Sequence, residues 1–197
     1  SSINAMVYIR GQHADYDHWA AQGNPGWGWE DVKPYFLRAE NNERGANDWH
    51  GRGGPFNVAD LRAPNRFSQY FTDAGVQAGH PHNTDFNGAT QEGVGLYQVT
   101  HKNGERHSAA KGYLTPHLAR PNLQVITGAH ATRILFDGTR AVGVEYRQGG
   151  AIKQVRAGRE VLLSAGALLS PQLLMLSGVG PAAHLQQHGI PVLHDLP

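Results

Sequence analysis

The sequence predicts a mixed fold of the α/β class, with α+β character, in which an antiparallel β-meander leads into a strand–turn–helix unit. Three observations predict it. Apolar residues recur at helical spacing in several stretches before residue 120. Short runs rich in Val, Ile and aromatic residues follow from Leu123. Last, residues 159–181 combine an apolar run, four small residues and a second apolar run that begins at Ser-Pro.

Helices are expected mainly in the first 120 residues. Residues 14–21 form a short helix with Tyr16 and Trp19 on one side. A second helix starts at Glu30, and Pro34 is expected to kink or restart it. A third begins at Asn65, ends at Gly79 and has one apolar face. Residues 106–114 also look helical, whereas residues 41–54 are predicted to be a polar, glycine-rich loop.

Strands are expected mainly after Leu123. Residues 123–127, 132–136, 141–146 and 152–155 predict a meander of about four strands. Asp137-Gly138 and Gly149-Gly150 are the turn sequences that two-residue hairpins favour. Earlier strand candidates are residues 55–59 and 96–100. For residues 1–11 the apolar period leaves helix and strand both open.

Residues 159–181 give the strongest local pattern. Residues 161–163 predict a buried strand that ends in the small residues 164–167, and Ser170-Pro171 predicts a capped helix start. Gly178 supplies a left-handed stop. Such units hold phosphate-bearing cofactors near the helix start, but ordinary α/β units share the pattern, and spacing alone leaves both interpretations open. A further helix over 181–187, stopped by Gly189, and a strand over 190–193 complete the chain.

Composition excludes several classes of function. The chain has 197 residues and a net charge of +1 without clustering of either sign, which argues against a nucleic-acid partner. There is no cysteine, so disulfides, thiolate metal sites and cysteine nucleophiles are excluded. The twelve histidines lack the spacing of a zinc site, since His13 and His18 are five residues apart. Neither G-x-S-x-G nor G-x-G-x-x-G occurs, and the residues nominate no catalytic group.

Two stretches carry a resemblance to a known family. Residues 166–180, GALLSPQLLMLSGVG, resemble the second signature of the glucose–methanol–choline (GMC) oxidoreductases at every constrained position. Residues 1–11, SSINAMVYIRG, are similar to the first signature. Supporting stretches are PGWGW at 25–29, HGRGGP at 50–55 and SAA at 108–110. The resemblance covers essentially the whole chain and is nearest to the bacterial choline dehydrogenase and alcohol dehydrogenase branch.

The resemblance implies FAD and oxidation of an alcohol by hydride transfer to the flavin. It implies part of a Rossmann-like FAD-binding domain with an antiparallel β-meander (residues 1–40 and 121–197), and part of an antiparallel-sheet substrate domain (residues 41–120). Some members link FAD covalently to a histidine where this chain has Ile3, so FAD is expected to be non-covalent. The residues implied to bind the cofactor are Ser2, Asn4, Ala5, Met6, Val7, Ala131 and Gly166.

Two parts of the family pattern are absent from the sequence. The dinucleotide fingerprint would precede Ser1, and the catalytic histidine would follow Pro197. We therefore expect a fragment that is inactive and free of FAD when isolated. The alternatives are a truncated binding or structural module and a GMC-fold lyase. Expected partners are a choline-like, aliphatic or aromatic alcohol, no nucleic acid and no metal, and self-association through the exposed edge of the strand at 161–163. Localisation is expected in the bacterial cytoplasm or at the inner membrane face.

Overall fold

The computed structural model describes residues 4–196, and Ser2 therefore lies outside the described residues. Residues 1–124 and 125–197 form two compact units, each described below by itself. Helices and strands are mixed through the chain, so the expected fold class is confirmed. Within residues 4–196 no helix is both long and apolar enough to cross a membrane. The assignment of 1–40, 41–120 and 121–197 to flavin and substrate domains stays a prediction.

Three α-helices of the first unit follow the expected positions closely. These are α1 (His13–Ala21), α2 (Trp29–Ala39) and α3 (Arg66–Gln77). The Asn65 side chain caps α3 by accepting a hydrogen bond from the Phe67 N–H at 2.9 Å, as a helix-starting asparagine does. The helix does not restart at Pro34, since α2 is continuous from Trp29 to Ala39, and a kink at Pro34 stays a prediction. The rings of Trp29 and Phe36, on either side of it, both pack on Tyr16, and this packing holds the helix together although proline removes one backbone bond.

The strands of the first unit are short. Strands β1 (Glu40–Asn42) and β2 (Phe56–Val58) pair in parallel, with Glu40 opposite Phe56. Strands β3 (His101–Lys102) and β4 (Glu105–Arg106) form a hairpin. The helix expected over 106–114 was partly wrong, because Arg106 lies in β4 and a π-helix occupies only Ala110–Leu114, followed by a 3₁₀ turn at Thr115–His117. Residues 96–100 are extended, but only Val99 forms β-bridges.

The second unit is a three-stranded antiparallel sheet with short helices. Its strands are β5 (His130–Asp137), β6 (Arg140–Gln148) and β7 (Ala151–Arg156). Both hairpin turns are confirmed, and Gly149 and Gly150 both have positive φ, which a type I′ turn requires. Helix α4 (Leu169–Leu176) contacts β5, where the Ser177 hydroxyl accepts from the Ile134 N–H at 2.8 Å. The fourth strand expected at 123–127 is absent.

Three expectations around α4 were wrong. Residues 161–163 form no strand, because no described segment lies alongside to pair with them, and Leu162 is 82% exposed. Ser170 does not cap α4; it lies inside the helix, and its hydroxyl accepts from the Ala165 N–H at 3.1 Å. The last strand is β9 (His194–Asp195), which pairs in parallel with β8 (Val179–Gly180). Gly178 does end α4 with φ +90°, and α5 spans Ala182–Gln187 as expected.

Candidate cofactor site and the buried network behind it

Residues 4–7 form an irregular segment whose backbone is bonded to two neighbouring stretches of the first unit. The Met6 carbonyl accepts from the Thr100 N–H at 2.8 Å, and Arg106 Nη2 donates to the Asn4 carbonyl at 2.8 Å. Met6 has φ +68°, which is unusual for a residue with a side chain. The side chains of Asn4, Ala5 and Val7 are exposed. The segment is therefore fixed through its backbone and presents uncovered side chains.

The backbone of Met6 is held in the left-handed region, which is strained for a residue with a side chain. A residue held in the left-handed region costs of order 1–3 kcal/mol and persists where its surroundings over-determine it. Here the Met6 carbonyl also receives the Thr100 hydroxyl at 3.3 Å, and the Met6 N–H donates to Asn4 Oδ1 at 3.1 Å. These contacts explain how the strained conformation is kept at the centre of the segment.

The other implied cofactor residues lie in the second unit. Ala131 is exposed on β5, opposite Tyr146 of β6. Gly166 has φ +92° in the turn before α4, and its carbonyl accepts from the Ser170 N–H at 2.9 Å. No heavy atom lies within 4 Å of a Cβ built on Gly166, so the space beside this turn is open. The first N–H groups of a helix lack intrahelical partners, and this turn leads into such a set.

A buried polar network is bonded to residues 8–10, which follow residues 4–7 in the chain, and its first member is Arg10. Arg10 donates through Nη2 to Glu40 Oε2 at 2.9 Å and through Nη1 to the Trp49 carbonyl at 2.7 Å. Its backbone N–H donates to Asn87 Oδ1 at 2.7 Å. The side chains of Arg10 and Glu40 are 2% and 0% exposed, so this ion pair is shielded from water.

His50 joins Glu40 to Asp85 within the same network. Its Nδ1 lies 3.1 Å from Glu40 Oε1, and its Nε2 lies 2.9 Å from Asp85 Oδ2. Burial acts to lower the pKa of His50, but the hydrogen bonds to Glu40 and Asp85 outweigh it and raise that pKa above its ordinary value. Burial acts to raise the pKa of Glu40, and the bonds from His50 and the Gly51 N–H reverse that effect and lower it.

The described residues of the first unit do not support two other kinds of chemistry, namely metal binding and proton transfer by His50. Among residues 4–196 no group of three or more His, Asp or Glu side chains could hold a metal ion. His50 is enclosed and has both ring nitrogens engaged, so it offers no free site for a substrate proton. The first unit therefore provides a segment fixed through its backbone at residues 4–7 and a buried network bonded to residues 8–10.

Comparison with known proteins identifies the family. The sequence profile described as GMC oxidoreductase matches residues 1–194. The chain belongs to the GMC oxidoreductase family. It is 50% identical over its whole length to the alcohol dehydrogenase [acceptor] of Pseudomonas putida, and 48% identical to the oxygen-dependent choline dehydrogenase of Brucella ovis. It spans 36% of the length of each of these curated relatives.

Solved structures of other GMC flavoproteins share the fold. Pyridoxine 4-oxidase from Mesorbium loti has a TM-score of 0.88 at 33% identity, over 99% of this chain and 39% of that one. An FAD-dependent oxidoreductase from Chaetomium thermophilum has the same TM-score and identity, over 99% of this chain and 36% of that one. The family resemblance inferred from residues 166–180 and 1–11 is therefore confirmed.

The sequence missed the buried network. Its members come from Arg10, from β1, from the loop that follows β1 and from residues 83–88, and the sequence patterns singled out none of them as a group. The HGRGGP stretch at 50–55 supported the resemblance, but nothing in the spacing indicated that His50 faces Asp85, 35 residues later. The glycines that follow His50 were the only signal, because a glycine such as Gly51 allows two backbones to approach closely.

Proposed function

We propose that this chain is part of an FAD-dependent oxidoreductase that oxidises the CH–OH group of a choline-like, aliphatic or aromatic alcohol. The proposal rests on one observation above all: residues 4–7, matched in the family's first signature, are fixed through their backbone while Asn4, Ala5 and Val7 stay uncovered. Such a segment suits a flat ring system that needs a positioned backbone. The catalytic group that takes the hydroxyl proton is proposed to lie outside these 197 residues.

The turn at Gly166 has the features that the diphosphate of FAD needs in a binding site. Its φ of +92° and the open space at its Cβ position allow a ligand to approach the backbone, and the start of α4 favours an anion. We therefore propose that Gly166 faces the diphosphate–ribose part of FAD and Ala131 the adenine. Bound FAD supplies a hydride acceptor. This chain's residues bind and orient it, without a covalent bond, because Ile3 has no nucleophile.

A chimera tests the proposed function. The segment of the P. putida alcohol dehydrogenase [acceptor] that aligns with this chain is replaced by the 197 residues, which are 50% identical to it. We expect a yellow enzyme that reduces an artificial electron acceptor with an alcohol. Aliphatic alcohols, an aromatic alcohol and choline are compared to assign the substrate class. A folded chimera without flavin contradicts the proposal, and one that holds FAD but is not reduced by any alcohol favours the GMC-fold lyase.

The isolated chain is proposed to be inactive. With only one side of the cofactor site supplied by these residues, we expect the purified chain to be colourless and to gain no stoichiometric flavin absorbance when FAD is added. Stoichiometric uptake of FAD by the isolated chain would contradict this. The expected self-association and the expected localisation stay predictions.

A further inference from the structure

One imidazole holds two carboxylates in the first unit. His50 Nδ1 faces Glu40 at 3.1 Å, and Nε2 faces Asp85 at 2.9 Å, with the His50 side chain 2% exposed. An ionised carboxylate only accepts hydrogen bonds, so this arrangement is satisfied when both ring nitrogens carry a proton. The Asn42 amide nitrogen, 3.0 Å from Nδ1, already donates to Glu40 and Gln98. The geometry therefore favours an imidazolium between the two acids. We call Glu40, His50 and Asp85 the carboxylate–histidine clamp.

The two carboxylates of the clamp are each connected to residues 8–10 by hydrogen bonds. On one side, Glu40 Oε2 accepts from Arg10 Nη2 at 2.9 Å. On the other, Asp85 Oδ1 accepts from the Asn87 N–H at 3.1 Å, and Asn87 then bonds the chain twice. Its Oδ1 accepts from the Arg10 N–H at 2.7 Å and its Nδ2 donates to the Tyr8 carbonyl at 3.0 Å. The clamp thus fixes this stretch through its backbone and through the Arg10 side chain.

Residues 8–10 continue directly into residues 4–7. The Tyr8 N–H donates to the Gln98 carbonyl at 2.9 Å, and the Thr100 N–H donates to the Met6 carbonyl at 2.8 Å. A one-residue slip would break both bonds and turn each side chain to the opposite face. Because Asn4, Ala5 and Val7 are exposed, their own side chains add little packing to prevent such a slip.

We infer that the carboxylate–histidine clamp is a positioning unit of the cofactor site, which sets the path of residues 8–10 and thereby presents residues 4–7 to the flavin. The part of this inference that concerns the flavin rests on the proposed function. His50 is its positioning residue, because removing it separates the two carboxylates that lead to residues 8–10 from opposite sides. Buried ionic groups specify a unique arrangement better than they stabilise it, which suits this role.

The charges of the clamp and of Arg10 balance when His50 is protonated. Two cations, Arg10 and His50, then meet two anions, Glu40 and Asp85. Further polar groups close to the clamp are the Asn42 and Gln98 amides, the Gly51 N–H and the Tyr8 phenol, whose pKa burial raises. Deprotonation of His50 leaves one negative charge uncompensated and one ring nitrogen facing a carboxylate without a proton.

Hydrogen exchange on the 197-residue chain tests the inference. The amides of Tyr8, Arg10 and Thr100 are followed by NMR in the unmodified chain, in His50→Gln and in Asn57→Ala. Asn57 is the matched control: it is buried in the same unit, and its side chain bonds Asn41, Glu43 and the His101 carbonyl. At equal global stability, set with urea, we expect His50→Gln to speed exchange of the three amides at least about 10-fold more than Asn57→Ala does. Equal acceleration of exchange by both variants would show that His50 affects these amides no more than another buried residue does, and would overturn the inference.

A pH series on the unmodified chain keeps the inference testable if His50→Gln does not fold. Protection factors of the Tyr8 and Arg10 amides are expected to be constant below the ordinary histidine pKa and to fall as pH rises through the raised pKa of His50. Protection that stays constant while the His50 ring, followed by NMR, loses its proton would overturn the inference. Neither experiment contains flavin, so their failure leaves the FAD proposal standing, and a flavin-free chimera leaves the clamp standing.

Discussion

Replacement of Glu40 by glutamine is expected to destabilise the first unit strongly. Glu40 is fully buried, and its two oxygens accept four hydrogen bonds, two each. The donors are Arg10 Nη2, the Gly51 N–H, Asn42 Nδ2 and His50 Nδ1, at 2.9 to 3.1 Å. Glutamine keeps one accepting oxygen, so its NH₂ group faces two of these donors. With a buried cation left unpaired, we expect a loss of about 3–5 kcal/mol in the free energy of unfolding.

The assay is urea unfolding at pH 7 followed by tryptophan fluorescence. All four tryptophans lie in residues 1–124, so the signal reports the first unit. The control is Glu105→Gln, because Glu105 pairs with Lys111 at the surface, where such pairs contribute little. We expect a large fall in the urea midpoint for Glu40→Gln and almost none for Glu105→Gln. Equal midpoints for the two variants would refute the reasoning that the Glu40 charge is required where it is buried.

Three further predictions follow from single contacts. A Cβ on Gly51 would lie 1.7 Å from the Leu37 carbonyl oxygen, so Gly51→Ala should lower the free energy of unfolding, measured with urea, by about 3 kcal/mol or more. The control is Gly158→Ala, which has open space at its Cβ and should leave that free energy almost unchanged. Ser177→Ala removes the acceptor of the Ile134 N–H and should cost the second unit about 1–3 kcal/mol, seen as faster exchange of the Ile134 amide; unchanged exchange would contradict it. The pKa of His50 is raised in the folded state, so its contribution to stability is complete below the unfolded-state pKa and is lost as pH rises through the folded-state pKa. The urea midpoint should therefore fall as the solution becomes alkaline. A midpoint that rises over that range would contradict the prediction.

Local chemistry made part of the fold predictable from the sequence. Asn65 starts α3 because its side chain satisfies an amide of the first turn, and Gly178 ends α4 because it takes a positive φ at no steric cost. The Gly149-Gly150 hairpin follows from the same freedom of the backbone. In each case the cause lies within a few residues of the effect, which is why the pattern is sufficient.

The remaining features depend on partners far along the chain. Residues 41 and 42 of β1 were expected to be loop, because they are polar, and Glu40 before them is buried with Arg10 and His50 around it. Residues 161–163 have the composition of a strand, but a strand needs a neighbour, and no described segment supplies one. Pro34 stays inside α2 because of aromatic packing. None of these outcomes is visible in a local window of sequence.

The candidate site divides in the same way. The family's signatures led to Asn4, Ala5, Met6, Val7 and Gly166, since a signature is a continuous string of residues. The carboxylate–histidine clamp joins Glu40, His50 and Asp85, and Arg10 pairs with Glu40; only the fold brings these residues together. The resemblance therefore nominates residues for the cofactor site, and their contact with FAD stays a prediction, whereas the structure was needed to find the network bonded to residues 8–10.

Flavin content of the chimera with the P. putida alcohol dehydrogenase [acceptor] tests the central claim most directly. The visible spectrum of the purified chimera should show FAD near one equivalent, and a Gly166→Val chimera should lose most of it, because a branched side chain is strained at φ +92° and fills the open space beside the turn. Gly158→Val, at an open position without positive φ, serves as the control and should retain FAD. A folded chimera that is colourless, or a Gly166→Val chimera that binds FAD as well as its parent, would contradict the account.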